Sequence, residues 1–192
     1  ARVLMPEHFG ATSGGSVDNL AALRNAGYWA ATLEVPLDAG KNPYWLTGNW
    51  RLGSRTSSAA AAGFANHMKL RESWRFICDA PGNDSFVSAE NCTGIRVDDM
   101  DFDINTASPA SGHGQMRLVE CSDFKGGKFT KIGASGSVPA ATGGSVLSIN
   151  GACDDVEVDS AIVEWAGASA SAVFASFTGS GNPTNIRIGY QR

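Results

Sequence analysis

Cys92-Thr93-Gly94-Ile95, Cys121-Ser122-Asp123-Phe124 and Cys153-Asp154-Asp155-Val156 are three copies of one pattern, a cysteine followed three places on by an apolar residue. A fourth copy, Asn185-Ile186-Arg187-Ile188, lacks the cysteine and keeps the apolar alternation. The steps are 29 residues from Ile95 to Phe124, 32 from Phe124 to Val156 and 30 from Val156 to Ile186. Such a period marks a repeat architecture, and the region from Asp84 to Arg192 is built on it.

Within each period apolar and polar residues alternate: Ile95-Arg96-Val97, Met100-Asp101-Phe102-Asp103-Ile104, Val156-Glu157-Val158 and Ile186-Arg187-Ile188. Two-residue alternation is the mark of strands with one buried face. A further strand is expected before each cysteine or its equivalent, at Ser85-Phe86-Val87-Ser88, Met116-Arg117-Leu118-Val119-Glu120, Val146-Leu147-Ser148-Ile149 and Ala172-Val173-Phe174-Ala175. Turn-rich clusters at 105–114, 133–144 and 178–184 lie between and exclude helices there. Strand, tight corner, strand and long loop, repeated, predict an all-β fold. It is a right-handed single-stranded parallel β-helix, each strand pairing with its counterpart one coil on, about 4.8 Å away. A propeller blade of this length needs four hairpin-joined strands, and the hairpin turns are missing.

A repeat that fills more than half of 192 residues argues for one domain. The chain is 43% hydrophobic and only 18% charged, with 23 glycines, a composition too apolar for disorder. A net charge of -4 without a Lys/Arg run offers no footing to nucleic acid or an anionic membrane. No apolar stretch approaches the ~20 residues of a membrane span, and no signal-peptide pattern is visible. Cys78, Cys92, Cys121 and Cys153 form no CxxC pair and have no histidine close by, so no metal is expected. Small thiols buried at the corners of successive coils are expected instead.

Upstream, Val3 to Gly10 reads as a strand and turn, and Asp18 precedes a short helix over Asn19–Ala26 that ends near Gly27. Its apolar face, Leu20, Leu23 and Ala26 or Gly27, is suited to cover the open first coil. Leu33-Glu34-Val35-Pro36 then reads as the first solenoid strand, giving a cap over 1–32 and coils over 33–192. Gly189-Tyr190-Gln191-Arg192 follows a strand in mid-coil, so the coils are expected to continue in a longer chain or to be covered by a partner.

Phe9-Gly10-Ala11, Ser16-Val17-Asp18-Asn19, Ala21-Ala22-Leu23 and Ala26, followed by Leu33-Glu34-Val35-Pro36 and Tyr44-Trp45-Leu46, resembles the opening of the pectate-lyase-like superfamily. Gly14 stands where that pattern has Asp, Leu20 stands where it has Thr, and Leu37 to Pro43 lengthens the segment before Tyr44. The resemblance implies a right-handed parallel β-helix with an N-terminal cap over essentially the whole chain. It also implies a function, since this opening is frequent in phage tailspikes that degrade host polysaccharide (capsule, lipopolysaccharide or exopolysaccharide) and in secreted glycoside hydrolases or polysaccharide lyases. Unpaired thiols and Ala/Gly/Ser-rich coils favour the tailspike: a homotrimer in the virion tail, with other tail proteins and a polysaccharide substrate as partners. A non-catalytic β-helical tail or adhesin component and a secreted bacterial enzyme stay open. No cofactor, nucleic acid or membrane insertion is expected.

Glycoside hydrolysis needs two carboxyl groups, about 5 Å apart for retention or about 6.5–9.5 Å for inversion. In a β-helix one coil step is about 4.8 Å and two are about 9.6 Å. Asp98, three past Ile95, falls in line with Gly127 and then with Asp159, three past Val156. Asp98 and Asp159 are thus the candidate catalytic pair, with Glu120 and Asp123 at the preceding corner as further candidates bordering the same groove. The outward column beside them is Arg96, Lys125, Glu157 and Arg187. Arg96, Lys125 and Glu157 are candidate substrate contacts, and Lys125-Glu157-Arg187 is also a charge ladder, worth about 0–1 kcal/mol per exposed pair. Solvated outward carboxylates are the plainer reading of these acids.

The run Asp98 to Asp103 suggests calcium. Alternation, however, puts Asp101 and Asp103 outside beside Thr130 and Ile132, which completes no carboxylate set. His8, His67 and His113 are scattered and suit no triad. Tyr28, Trp29, Tyr44, Trp45, Trp50 and Trp74 crowd the first 75 residues. Packing of the cap on the first coils accounts for them better than a sugar platform does.

Overall fold

The computed structural model describes residues 2–14, 17–56, 58, 60–79, 85–104, 115–133, 145–164 and 175–191. The loop expected at 105–114, all but the first residue of the loop expected at 133–144, the first residues of the strand expected at 172–175, Ser16 and His113 lie outside the described residues.

Coil 1 consists of Leu37–Asp38 (β1), Tyr44–Leu46 (β2) and Trp50–Arg51 (β3), and coil 2 of Lys69–Arg71 (β4), Trp74–Cys78 (β5) and Val87–Glu90 (β6). Coil 3 holds Arg96–Val97 (β7), Met100–Ile104 (β8) and Met116–Val119 (β9), and coil 4 holds Ser122–Gly133 (β10) and Leu147–Asn150 (β11). Asp154–Glu164 (β12), Ala175–Thr178 (β13) and Thr184–Gln191 (β14) follow. Among the described residues every ladder is parallel, and strands pair from coil to coil to form a β-solenoid of about 4 turns, as the repeat predicts. Among the described residues one sheet has nine strands and the other five, in the order β13-β11-β9-β6-β3. In the nine-stranded sheet, β7 and β8 of coil 3 pair side by side with the two halves of β10, so two short strands upstream become one long strand downstream. The apolar anchors align as read: Phe124 lies opposite Val156, Val156 opposite Ile186, and the Lys125–Arg96 pair sets Phe124 opposite Ile95.

The alternation has its expected consequence for the core. Met100, Phe102 and Ile104 are buried, while Asp101 and Asp103 face outward. Trp50, Trp74, Phe76 and Phe102 fill the lumen without exposure. Their ring centroids lie 5.4 Å apart for Trp50–Trp74, 6.0 Å for Trp74–Phe76 and 5.7 Å for Phe76–Phe102. Large rings dominate the burial of a small core.

The helix differs from its reading. It runs from Leu20–Leu33 (α1), through Gly27 rather than to it. Gly27 serves contact instead, because a Cβ there would lie 3.1 Å from the Trp50 indole nitrogen. The Asp18 carboxylate accepts the Leu20 amide at 3.1 Å, and α1 ends where Glu34 turns left-handed at φ 51°. Leu33-Glu34-Val35-Pro36 is therefore a helix end and linker, not the first strand. Extended pairing begins at Leu37, which lies opposite Leu4 on one side and Leu70 on the other. The expected N-terminal strand is reduced to that Leu4 bridge, followed by a 3-10 turn over Pro6–Phe9. Among the described residues no helix is long and apolar enough to cross a membrane.

Corners repeat as strictly as strands. Asn91, Glu120, Gly151 and Gly179 have positive φ, and Glu90, Val119, Asn150 and Thr178, just before them, lie opposite one another in the five-stranded sheet. A second column of positive φ comprises Glu34, His67, Gly94, Asp123, Asp155 and Asn185. From His67 on, each lies two residues before one aligned row, Lys69, Arg96, Lys125, Glu157 and Arg187. Asn, Asp and Gly tolerate this conformation best. Cys92, Cys121 and Cys153 sit between the two columns, buried and unbridged as expected.

Candidate functional site

The outer face of the nine-stranded sheet carries the acids singled out by spacing. Pairing of Gly126 with Val97 and with Val158 sets Gly127 between Asp98 and Asp159, in one row across three coils. A shallow groove of about 330 Å³ opens there, lined by Arg96, Asp98, Lys125, Gly127, Glu157 and Asp159 among others. Two strand spacings separate Asp98 from Asp159, about 9.6 Å at the backbone. Both side chains are exposed.

Gly127 leaves room at this row for the neighbouring Asp99 carboxylate. A Cβ on Gly127 would meet Asp99 Oδ1 at 2.6 Å and the Asp98 carbonyl carbon at 3.2 Å. Asp99, which the sequence reading passed over, accepts the Lys128 amide at 2.8 Å and thereby ties coil 3 to coil 4 beneath the groove. Asp98 Oδ2 accepts the Glu72 amide at 2.7 Å, fixing that carboxylate toward coil 2.

The charged column borders this row. Arg96 Nη2 donates to both Asp123 carboxylate oxygens, at 2.8 and 2.9 Å, and its Nη1 donates to the Asp123 carbonyl at 2.5 Å. Lys125 Nζ lies 3.7 Å from Glu157 Oε2, and Arg187 Nη1 lies 3.3 Å from Glu157 Oε1. The ladder thus exists as read from Lys125 to Arg187, whereas Arg96 turns to its own corner carboxylate. That sets the four acids apart. Asp98 and Asp159 line the groove, Asp123 is bound by Arg96 at its edge, and Glu120 stands on the other corner column, where its side chain packs over Gly151.

The face continues in both directions along the stack. Glu157 also lines a hollow of about 340 Å³ with Asp155, Asn185 and Arg187. Upstream, Lys69 lies opposite Arg96 and borders a pocket of about 360 Å³ between the end of α1 and the 63–69 corner, with Glu34, Phe64 and His67. Lys69 went unnoticed although Lys69-Leu70-Arg71 alternates as the later strands do. Asp101 and Asp103 lie outside beside Thr130 and Ile132, and Asp103 pairs with Arg75 at 3.2 Å. Among the described residues no group of three or more His, Cys, Asp or Glu is placed to hold a metal.

One buried cation was also missed. Lys131 lies opposite Phe102 and Val163 on the inward row and is 4% exposed; desolvation pushes its ammonium down to about 8. Its place two residues after Phe129 signalled an inward side chain. Compared with models of known families, with curated proteins and with solved structures, the chain shows no match.

Proposed function

We propose that this chain is the polysaccharide-engaging β-solenoid of a phage-tailspike-type protein, which binds a host-surface glycan along its outer face and cleaves it at the Gly127 groove. The observation that carries the reading is the Asp98–Gly127–Asp159 row: two exposed carboxylates two coil steps apart with a glycine between them. That spacing suits inverting hydrolysis, in which one carboxylate activates water and the other carboxylic acid protonates the leaving oxygen. Asp98, with Oδ2 engaged by the Glu72 amide, keeps Oδ1 for the water and takes its proton. Asp159 supplies the proton to the departing sugar oxygen. Lys125 and Glu157 offer a cation and an acceptor beside the row, within reach of sugar hydroxyls.

A second reading, non-catalytic glycan binding in a tail or adhesin component, is favoured by the structural use of one acid of the pair, Asp98, and of its neighbour Asp99, each of which holds a backbone amide. Reducing-end yield on bacterial capsules, lipopolysaccharides and exopolysaccharides distinguishes the two. Cleavage by wild type, abolished in Asp98→Asn and Asp159→Asn with glycan binding retained, supports hydrolysis at this row. Binding without product supports the second reading, and unchanged cleavage in both variants removes the pair. A trimer in sedimentation accords with the tailspike, a monomer with a secreted enzyme.

A further inference from the structure

Two of the corner thiols touch one another. Cys92 Sγ and Cys121 Sγ lie 3.6 Å apart, both buried. Thr93 lies opposite Ser122, so the two cysteines are opposite one another on adjacent coils. Strand neighbours about 4.8 Å apart fall inside the Cα separation of about 4.4–6.8 Å that a disulfide spans. Cys153 lies opposite Cys121 on the other side, since Ser122 pairs with Asp154, but its thiol turns to backbone partners. The corner from Glu120 to Asp123 is one residue shorter than that from Gly151 to Asp155, and Cys153 Sγ accepts the Cys121 amide at 3.4 Å while donating to the Asn150 carbonyl at 3.3 Å. Cys78 lies in the lumen opposite Leu46 and Ile104, away from any thiol in its row.

We infer that Cys92 and Cys121 are an oxidation site, a dithiol that accepts a covalent cross-link between coils 3 and 4 from a small-molecule disulfide. Cys92, 5% exposed against 1% for Cys121, is the thiol that meets the reagent. Its thiolate attacks the reagent disulfide and releases one thiol. The Cys121 thiolate then attacks the Cys92 sulfur of the mixed disulfide and releases the second. Two cysteine thiols are oxidised, one reagent disulfide is reduced to two thiols, and the two cysteine protons leave with them. The hydrogen bond with Cys121, together with burial, pushes the Cys92 thiol up, so the exchange is slow and proceeds through opening of the 91–94 corner. The product closes a loop between residues 29 apart, which restricts the unfolded chain.

The test is incubation of the folded protein with oxidised glutathione at mildly alkaline pH, acid quenching, and non-reducing digestion with mass spectrometry. The expected result is loss of two of the four free thiols, one Cys92–Cys121 peptide pair lighter by two hydrogens, and a urea midpoint that rises and returns with dithiothreitol. Cys121→Ser should gain at most a glutathione on Cys92, and Cys153→Ala should still cross-link, which keeps the test valid if the first variant does not fold. Four persistent thiols, a link through Cys78 or Cys153, or loss of the link in Cys153→Ala overturns the assignment.

Discussion

At Gly127 the absence of a side chain shapes the face. The Asp99 carboxylate and Asp98 backbone fill the space a methyl group would need, so Gly127→Ala should lower stability by about 1–3 kcal/mol in urea unfolding. Adding Asp99→Ala should return part of that loss; a double variant no better than additive would show the clash lies elsewhere. Lys131 makes a prediction of opposite sign. An ordinary lysine titrates near 10.4, and in the fold Lys131 is pushed down to about 8 by desolvation. Between those values the unfolded chain holds a proton that the folded chain lacks, so stability rises with pH across the window. Below it the burial cost is present in full. Lys131→Met should therefore raise the unfolding free energy measured in urea at neutral pH by about 1 kcal/mol or more, with the difference from wild type shrinking as pH rises through the window. The register of Asp98, Gly127 and Asp159 was legible in the sequence because it follows from the period. Asp99 was not, because an acceptor for an amide in the next coil leaves no periodic trace. Asn and Asp at the corners suit left-handed turns, but Glu34, His67 and Glu120 take the same conformation with no such signal.

α1 was legible as an element and not in its extent. Gly27 has the composition of a helix stop, yet its use is the approach to Trp50, a tertiary contact that local propensity does not contain. Gly27→Val should lever α1 away from coil 1, shift tryptophan emission to the red and lower the unfolding midpoint; unchanged emission would contradict the packing. The same tertiary logic explains the upstream coils. Trp74 and Phe76 alternate with Arg75 and Ile77 as inward residues of β5, so the aromatic crowding read as packing of the cap on the first coils includes the filling of the lumen itself. Glu120 and Asp123 stand at one corner, three residues apart, and only coordinates show that one belongs to each column.

Over the whole molecule, one face joins what the coils supply singly. From Lys69 through Arg96, Lys125 and Glu157 to Arg187, each coil adds one charged residue to a column. The hollows beside it follow the stack from α1 to β14. The proposed function lays a linear polymer of sugars along this column. The fold was legible because a solenoid repeats its register, so one period read correctly places the others. The chemistry was less legible because outward charges serve solubility, register and binding with the same residue types. The most direct measurement is affinity electrophoresis of wild type and Asp159→Trp against a panel of bacterial surface polysaccharides. Retardation of the wild type by at least one glycan, lost when the indole fills the groove, is the predicted result; no retardation, or retardation equal in both proteins, would contradict a glycan site on this face.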